Sequence, residues 1–159
     1  MKVFAISDLH LSSAVGKPMD IFGDGWLNHF ERVRENWLSL IGEDDLVLLG
    51  GDMSWGLTIE EAAPDYAAVA ELPGQKVVVK GNHDYYWTSL GKMQAAFPSF
   101  GFVQNNCLRR GKYLITGTRG WNLPTEDSSE HDLKIYRREL LRLELSLKCA
   151  EKAKTEDDV

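Results

Sequence analysis

Three short apolar runs, Val3–Ile6, Leu46–Leu49 and residues 77–79, constrain this 159-residue chain more than any other feature. Each is nearly continuous rather than alternating, which is the pattern of a strand buried on both faces. Between the first two, Trp26, Phe30, Val33, Trp37 and Ile41 recur at spacings of three or four and predict an amphipathic helix. Between the second and third, Thr58-Ile59-Glu60-Glu61 has the form of a capping box and opens another helix. Pro64 predicts a short first turn followed by a kink or restart, and Leu72-Pro73-Gly74 predicts a stop. Strand, helix, strand, helix, strand implies right-handed crossovers and an α/β fold with a largely parallel sheet.

The remainder reads as a helix over 87–97 ended by Pro98, then strands over 102–108 and 112–117 forming a hairpin across Arg109-Arg110-Gly111. A loop over 117–124 comes next. Asp127-Ser128-Ser129-Glu130 then starts a long helix whose apolar stripe is Leu133, Tyr136, Leu140, Leu143 and Leu147. No repeat or linker divides the chain, so a single domain over 1–159 is expected.

The residues just after each buried run carry the chemistry. The first run leads into Ser7-Asp8-Leu9-His10, the second into Gly50-Gly51-Asp52, the third into Lys80-Gly81-Asn82-His83-Asp84. In an open parallel sheet, ligands bind at the carboxyl ends of the strands, so these segments are expected to converge. Convergence assembles two carboxylates, two imidazoles and an amide, a donor set suited to divalent metals. Asp8 and His10, two apart in extended chain, would point the same way. The glycines before Asp52 and Asn82 let the backbone turn sharply and approach closely. A carboxylate bridging two ions needs a central strand, and Asp52 follows the second run of the three.

Asp8-x-His10, Gly51-Asp52 and Gly81-Asn82-His83-Asp84 together resemble the first three signature blocks of the calcineurin-like metallophosphoesterases, over roughly residues 1–120. That resemblance implies a layered α/β sandwich, a phosphoric ester hydrolase and two divalent ions drawn from manganese, iron, zinc, nickel and magnesium. It implies that Asp8 and His10 bind the first ion, that Asp52 bridges, and that Asn82 binds the second. His83 would be the histidine that touches phosphate and protonates the leaving oxygen, since imidazole titrates near neutral pH. Asp84 is expected either to orient that imidazole or to serve as a turn residue. The family's later histidine blocks, including Gly-His-x-His, have no counterpart here. The two remaining histidines, His29 and His131, read as surface or cap residues. The expectation is therefore a sandwich incomplete at its C-terminus, with the second ion weakly held.

Charge and composition narrow the partners. Residues 1–106 carry a balance of −7 and residues 107–154 a balance of +4. The acidic part suits a face offset by bound cations, and the basic part reads as a solvated helix face. The expected partner is a phosphoester substrate. Net charge of −6 without a dense basic patch weighs against nucleic acid, and so against a nuclease of the same family. No apolar run reaches the ~20 residues of a membrane span. Cys107 and Cys149 lack metal-site spacing and suggest no disulfide framework, so a reducing cytoplasm is the expected location. Unpaired apolar surface predicts self-association, as a homo-oligomer. A non-catalytic interaction module on the same scaffold is the rival reading, opposed by retention of all five site residues. The aromatics near the motifs, Trp55, Tyr85, Tyr86, Trp87 and Trp121, could flank a substrate, but most are expected in the core. Arg119 is weighed evenly between a phosphate contact and a structural ion pair.

Overall fold

The structure, a computed structural model, describes residues 1–159. The chain forms two compact units, Met1–Phe102 and Val103–Val159.

The first unit is built as the apolar runs dictate. Strands β1 (Val3–Ile6), β2 (Leu46–Leu49) and β3 (Gln75–Val79) pair in parallel, with Val3 opposite Leu46 and Leu46 opposite Gln75. A fourth strand, β4 (Phe100–Val103), lies beside β3, giving the order β1-β2-β3-β4. Helix α1 (His29–Leu40) links β1 to β2 and buries Trp37, whose indole N–H donates to the Pro73 carbonyl at 2.8 Å. Helix α2 (Ile59–Ala70) links β2 to β3, and the Thr58 hydroxyl caps it by accepting from the Glu61 N–H.

Pro64 neither kinks nor restarts α2, which runs unbroken from Ile59 to Ala70. Its ring lies on the exposed face, where the Glu60 carbonyl that loses its donor is open to water. Ala62, Tyr66 and Val69 on the opposite face stay fully packed. Helix α3 (Leu90–Ala96) is shorter than expected, because Ser89 caps it and residues 87–89 are irregular, coming straight after a turn at Tyr85-Tyr86. Trp87 is instead buried in the core, edge-on to Phe102, while Tyr66 stacks on Phe97 at 4.0 Å.

In the expected 102–108 strand the chain divides. Residues 100–103 join the main sheet as β4, and Leu108–Arg110 (β5) pairs antiparallel with Tyr113–Ile115 (β6) in the second unit. The hairpin forms, but Arg109 and Arg110 of the expected connection belong to β5, and the chain turns across Gly111-Lys112, with φ +56° at Gly111.

Helix α4 (Glu130–Ala153) starts at Ser129, whose hydroxyl accepts from the Asp132 N–H. Its buried residues are Ile135, Glu139 and Ser146, and not the leucine stripe: Leu140, Leu141, Leu145 and Leu147 are exposed. A polar seam holds the helix instead. Glu139, almost fully buried, accepts from Thr118 and Arg142 and pairs with Arg119, which makes that arginine structural. Ser146 donates to the Asn106 carbonyl and accepts from the Gly117 N–H. Cys107 and Cys149, 42 residues apart in sequence, are free thiols in contact, with Sγ atoms 2.6 Å apart. No helix is long and apolar enough to cross a membrane.

Candidate metal centre

The parallel pairing of β1 and β2 continues into the loops beyond them. Asp8 N–H donates to the Gly51 carbonyl (3.0 Å), His10 N–H to Asp52 (2.9 Å), Leu11 N–H to Met53 (3.0 Å), and Trp55 N–H to Leu11 (2.8 Å). This ladder locks the first two motif loops in register, so Asp8, His10 and Asp52 meet at the carboxyl end of the sheet. One ligand atom from each lies within 4.8 Å of the other two. The topology also places β2 between its neighbours, so Asp52 stands at the central position expected of it.

The geometry that brings Asp8 and His10 together is not the extended chain expected from their spacing. Asp8 (φ +59°), His10 (φ +46°) and Asp52 (φ +52°) all occupy the left-handed region. Three non-glycine residues there, all candidate ligands, mark a strained site that the surroundings must enforce. The enforcement is visible. A Cβ on Gly81 would overlap Asp52 Oδ1 and its backbone nitrogen, and one on Gly51 would overlap the Gly81 backbone. A Cβ on Gly50 would come 2.7 Å from that of Ser7. The three loops press against one another with no room for a side chain.

Asp84 ties the arrangement together. Fully buried, its carboxylate accepts from the N–H groups of Gly81 (2.7 Å), Asp52 (3.0 Å) and Met53 (3.0 Å) and from the Tyr86 hydroxyl (2.6 Å). Burial pushes its carboxyl above the usual range, and the four donors oppose that shift. With both oxygens engaged on backbone and Tyr86, Asp84 is the turn residue of the two alternatives and not the orienter of His83. His29 also departs from its expected surface role. Its Nε2–H donates to the Leu9 carbonyl at 2.8 Å, between the two ligands of the first loop. No periodicity or motif signals that contact, because it depends on where α1 packs.

His10 is buried, and desolvation lowers its pKa despite the raising influence of Asp52 and Asp8. The neutral imidazole is thereby favoured, and its Nε2 approaches Asp8 Oδ1 (3.5 Å) and Asp52 Oδ2 (3.9 Å) as neighbouring candidate ligands. His10 Nδ1 is buried without a hydrogen-bond partner. Two carboxylates and a neutral imidazole, this close and with a buried ring nitrogen unsatisfied, fit a divalent cation. Asp52 Oδ1 also accepts from the His83 N–H at 2.8 Å, which places the third loop against the first two. The His83 ring lies 5.8 Å from that of His10, edge to face, and Asn82 is exposed one residue before it. The structure thus gathers Asp8, His10 and Asp52 into one cluster, with His83 at its side and Asn82 in the same loop. Trp55, for which sequence leaves flanking a substrate and core packing both open, lines the site: its indole stacks on His10 at 4.4 Å and 15° and lies 5.1 Å from His83.

Residues 1–148 match the family model described as calcineurin-like phosphoesterase. The chain belongs to that family, and its fold is of the metallophosphoesterase α/β type. A crystal structure of a protein of unknown function from Aquifex aeolicus is similar at 21% identity and a TM-score of 0.46. The match covers 86% of this chain and 70% of the other. No curated protein matches the chain.

Proposed function

We propose that this protein hydrolyses phosphate mono- or diesters with two divalent ions at the Asp8–His10–Asp52 cluster. The observation that carries the reading is the convergence of those three ligand atoms within 4.8 Å, in a chain of the phosphoesterase family. Asp8 and His10 would hold one ion, Asp52 would be shared, and Asn82 would contribute to the second. Bound there, divalent ions supply Lewis acidity toward the phosphate oxygens and the attacking water.

The chain's own residues do the rest. Asp52, held by the His83 N–H and by its own positive-φ backbone, fixes the shared position. In the hydrolysis, water oxygen bonds to phosphorus and releases a proton to solvent as the ester P–O bond breaks and its electron pair goes to the leaving oxygen. His83, half-exposed beside the cluster, delivers a proton to that oxygen and is reprotonated from solvent. The Asp84 carboxylate keeps the loops of Asp52 and His83 at fixed separation.

Metal content and aryl phosphate hydrolysis, measured for the wild type, Asp52→Ala and His83→Ala, test this. Asp52→Ala should lose metal and activity together. His83→Ala should lose about 10²-fold or more in turnover while keeping its metal. Equal metal content in wild type and Asp52→Ala would overturn the site. Parallel loss of metal in His83→Ala would make His83 a ligand instead of the proton donor.

A further inference from the structure

Beside the metal cluster lies an open cavity of about 640 Å³ that touches His83 but none of Asp8, His10, Asp52 or Asn82. His83, the proposed proton donor, lines it and none of the candidate ligands does, which is where the departing half of an ester would project. Its walls are part aromatic and apolar, part charged. Trp55 and Tyr85 flank His83, their ring centroids 5.1 Å and 6.1 Å from the imidazole, and Leu57 completes the rim. Leu57 and Tyr85 are 65% and 61% exposed, so two large side chains stand mostly in solvent at the rim of a cavity that His83 also lines. The cavity holds one cation and one anion, Lys17 and Glu61. Lys17 Nζ sits 3.1 Å above the Trp55 ring, and the Glu61 carboxylate accepts from the Leu57 N–H. Lys17 and Glu61 offset one another, and the only further charge is the proton that His83 gives up, so the cavity offers little to a polyphosphate or a nucleic acid strand.

We propose that this cavity is the leaving-group subsite, and that it takes an uncharged, flat aromatic group esterified to the phosphate. The inference rests on the phosphoesterase reading and adds the substrate class to it. The aromatic ring packs on the exposed Tyr85 and Leu57 side chains and meets Trp55 at its edge, since His10 and Lys17 cover the indole faces, with its ester oxygen directed to His83. The free energy of that contact is of the size seen for offset or edge-on ring pairs.

Two measurements test it. The first is kcat/KM of the metal-loaded protein for 2-naphthyl phosphate and for hexafluoroisopropyl phosphate, whose leaving groups are of similar acidity, in the wild type, Tyr85→Ala and Leu57→Ala. The second is binding of 2-naphthol to the metal-free proteins, read by calorimetry. Both substituted side chains are exposed, so the variants should fold, as circular dichroism would check. The aryl ester should be preferred, and each substitution should lower its kcat/KM by roughly 3- to 10-fold with little change for the fluoroalkyl ester. Naphthol affinity should fall by a similar factor. Hydrolysis of both esters at equal rates, with both variants unchanged, would overturn the subsite and leave the phosphoesterase reading intact. Naphthol binding that weakens in the variants, with no ester hydrolysed, would support the subsite and overturn the phosphoesterase reading. Undetectable naphthol binding together with equal ester rates would overturn the subsite.

Discussion

Replacing Asp84 probes whether the site is held from beneath, as its geometry says. In Asp84→Ala the N–H groups of Gly81, Asp52 and Met53 and the Tyr86 hydroxyl lose their common acceptor. Hydrogen bonds to a charged acceptor are worth about 1.5–3 kcal/mol each, but the buried carboxylate already costs several kcal/mol of desolvation. The difference is of the order found for breaking a buried charged network, about 3–5 kcal/mol. Asp84→Asn discriminates further. Asp52 and Gly81 donate to one carboxylate oxygen, and Met53 and Tyr86 to the other. An amide oriented with its oxygen toward Asp52 and Gly81 keeps those two bonds. The Tyr86 hydroxyl can rotate to accept from the NH₂ group, which leaves a single donor–donor conflict, at Met53. The cost should fall to about 1.5–3 kcal/mol. Urea denaturation of the three metal-free proteins, held in chelator, reads these differences directly. A cost below about 1 kcal/mol for the alanine variant, or an asparagine variant less stable than the alanine one, would refute the reasoning.

Gly81→Ala should abolish stable folding of the first unit, because the new Cβ overlaps Asp52 side chain and backbone. Gly16→Ala, with nothing within 4 Å, should melt like the wild type, and equal melting of both variants would sink the close-packing argument. At position 10 the left-handed backbone predicts that His10→Gly is more stable than His10→Ala by about 1 kcal/mol in the metal-free state, measured by the same urea titration, although both lose a ligand. The adjacent thiols predict that glutathione disulfide oxidises Cys107 and Cys149 to a disulfide, releasing two glutathione thiols and removing both protein thiols from titration with a chromogenic disulfide. Burial and the Cys149 thiol push Cys107 up to about 11, so its alkylation should climb with pH, about tenfold per unit, until that range; a plateau near pH 8.5 would contradict the assignment.

Much of the first unit was legible because its signals are local and one-dimensional. Continuous apolar runs gave β1 and β2 to the residue, and Thr58 and Gly74 marked the ends of the second crossover. The convergence of Asp8, His10 and Asp52 was legible for a related reason: each follows a buried strand, and parallel pairing brings strand ends together. The contacts that shape the site were hidden because they link residues distant in sequence. Nothing near His29 announces that it will hold the Leu9 carbonyl, and Asp84 looked equally suited to an imidazole partner 1 residue away. Helix α4 misled for a different reason. Its leucines follow a helical period, yet the face that packs is set by Glu139 and Ser146, whose value lies in partners on the 106–119 segment. A hydrophobic period identifies a helix but not which face is covered when a satisfied polar seam competes for burial.

The physical logic of the site is a division between residues that bind and residues that hold. Asp8, His10 and Asp52 each occupy a backbone conformation that an L residue adopts at a cost, and two of them bring like charges toward one point. Left alone, such loops would relax apart. The ladder between residues 8–11 and 51–55, the glycine contacts between the second and third loops, the Asp84 carboxylate and the His29 contact oppose that relaxation from every side. Their effect is that Asp8, His10 and Asp52 are already gathered in the folded chain, so a cation at this candidate site would not first have to order the loops. Strain at the three candidate ligands and satisfaction beneath them are therefore one feature. A substitution that frees the loops should gain backbone freedom and lose cation affinity together.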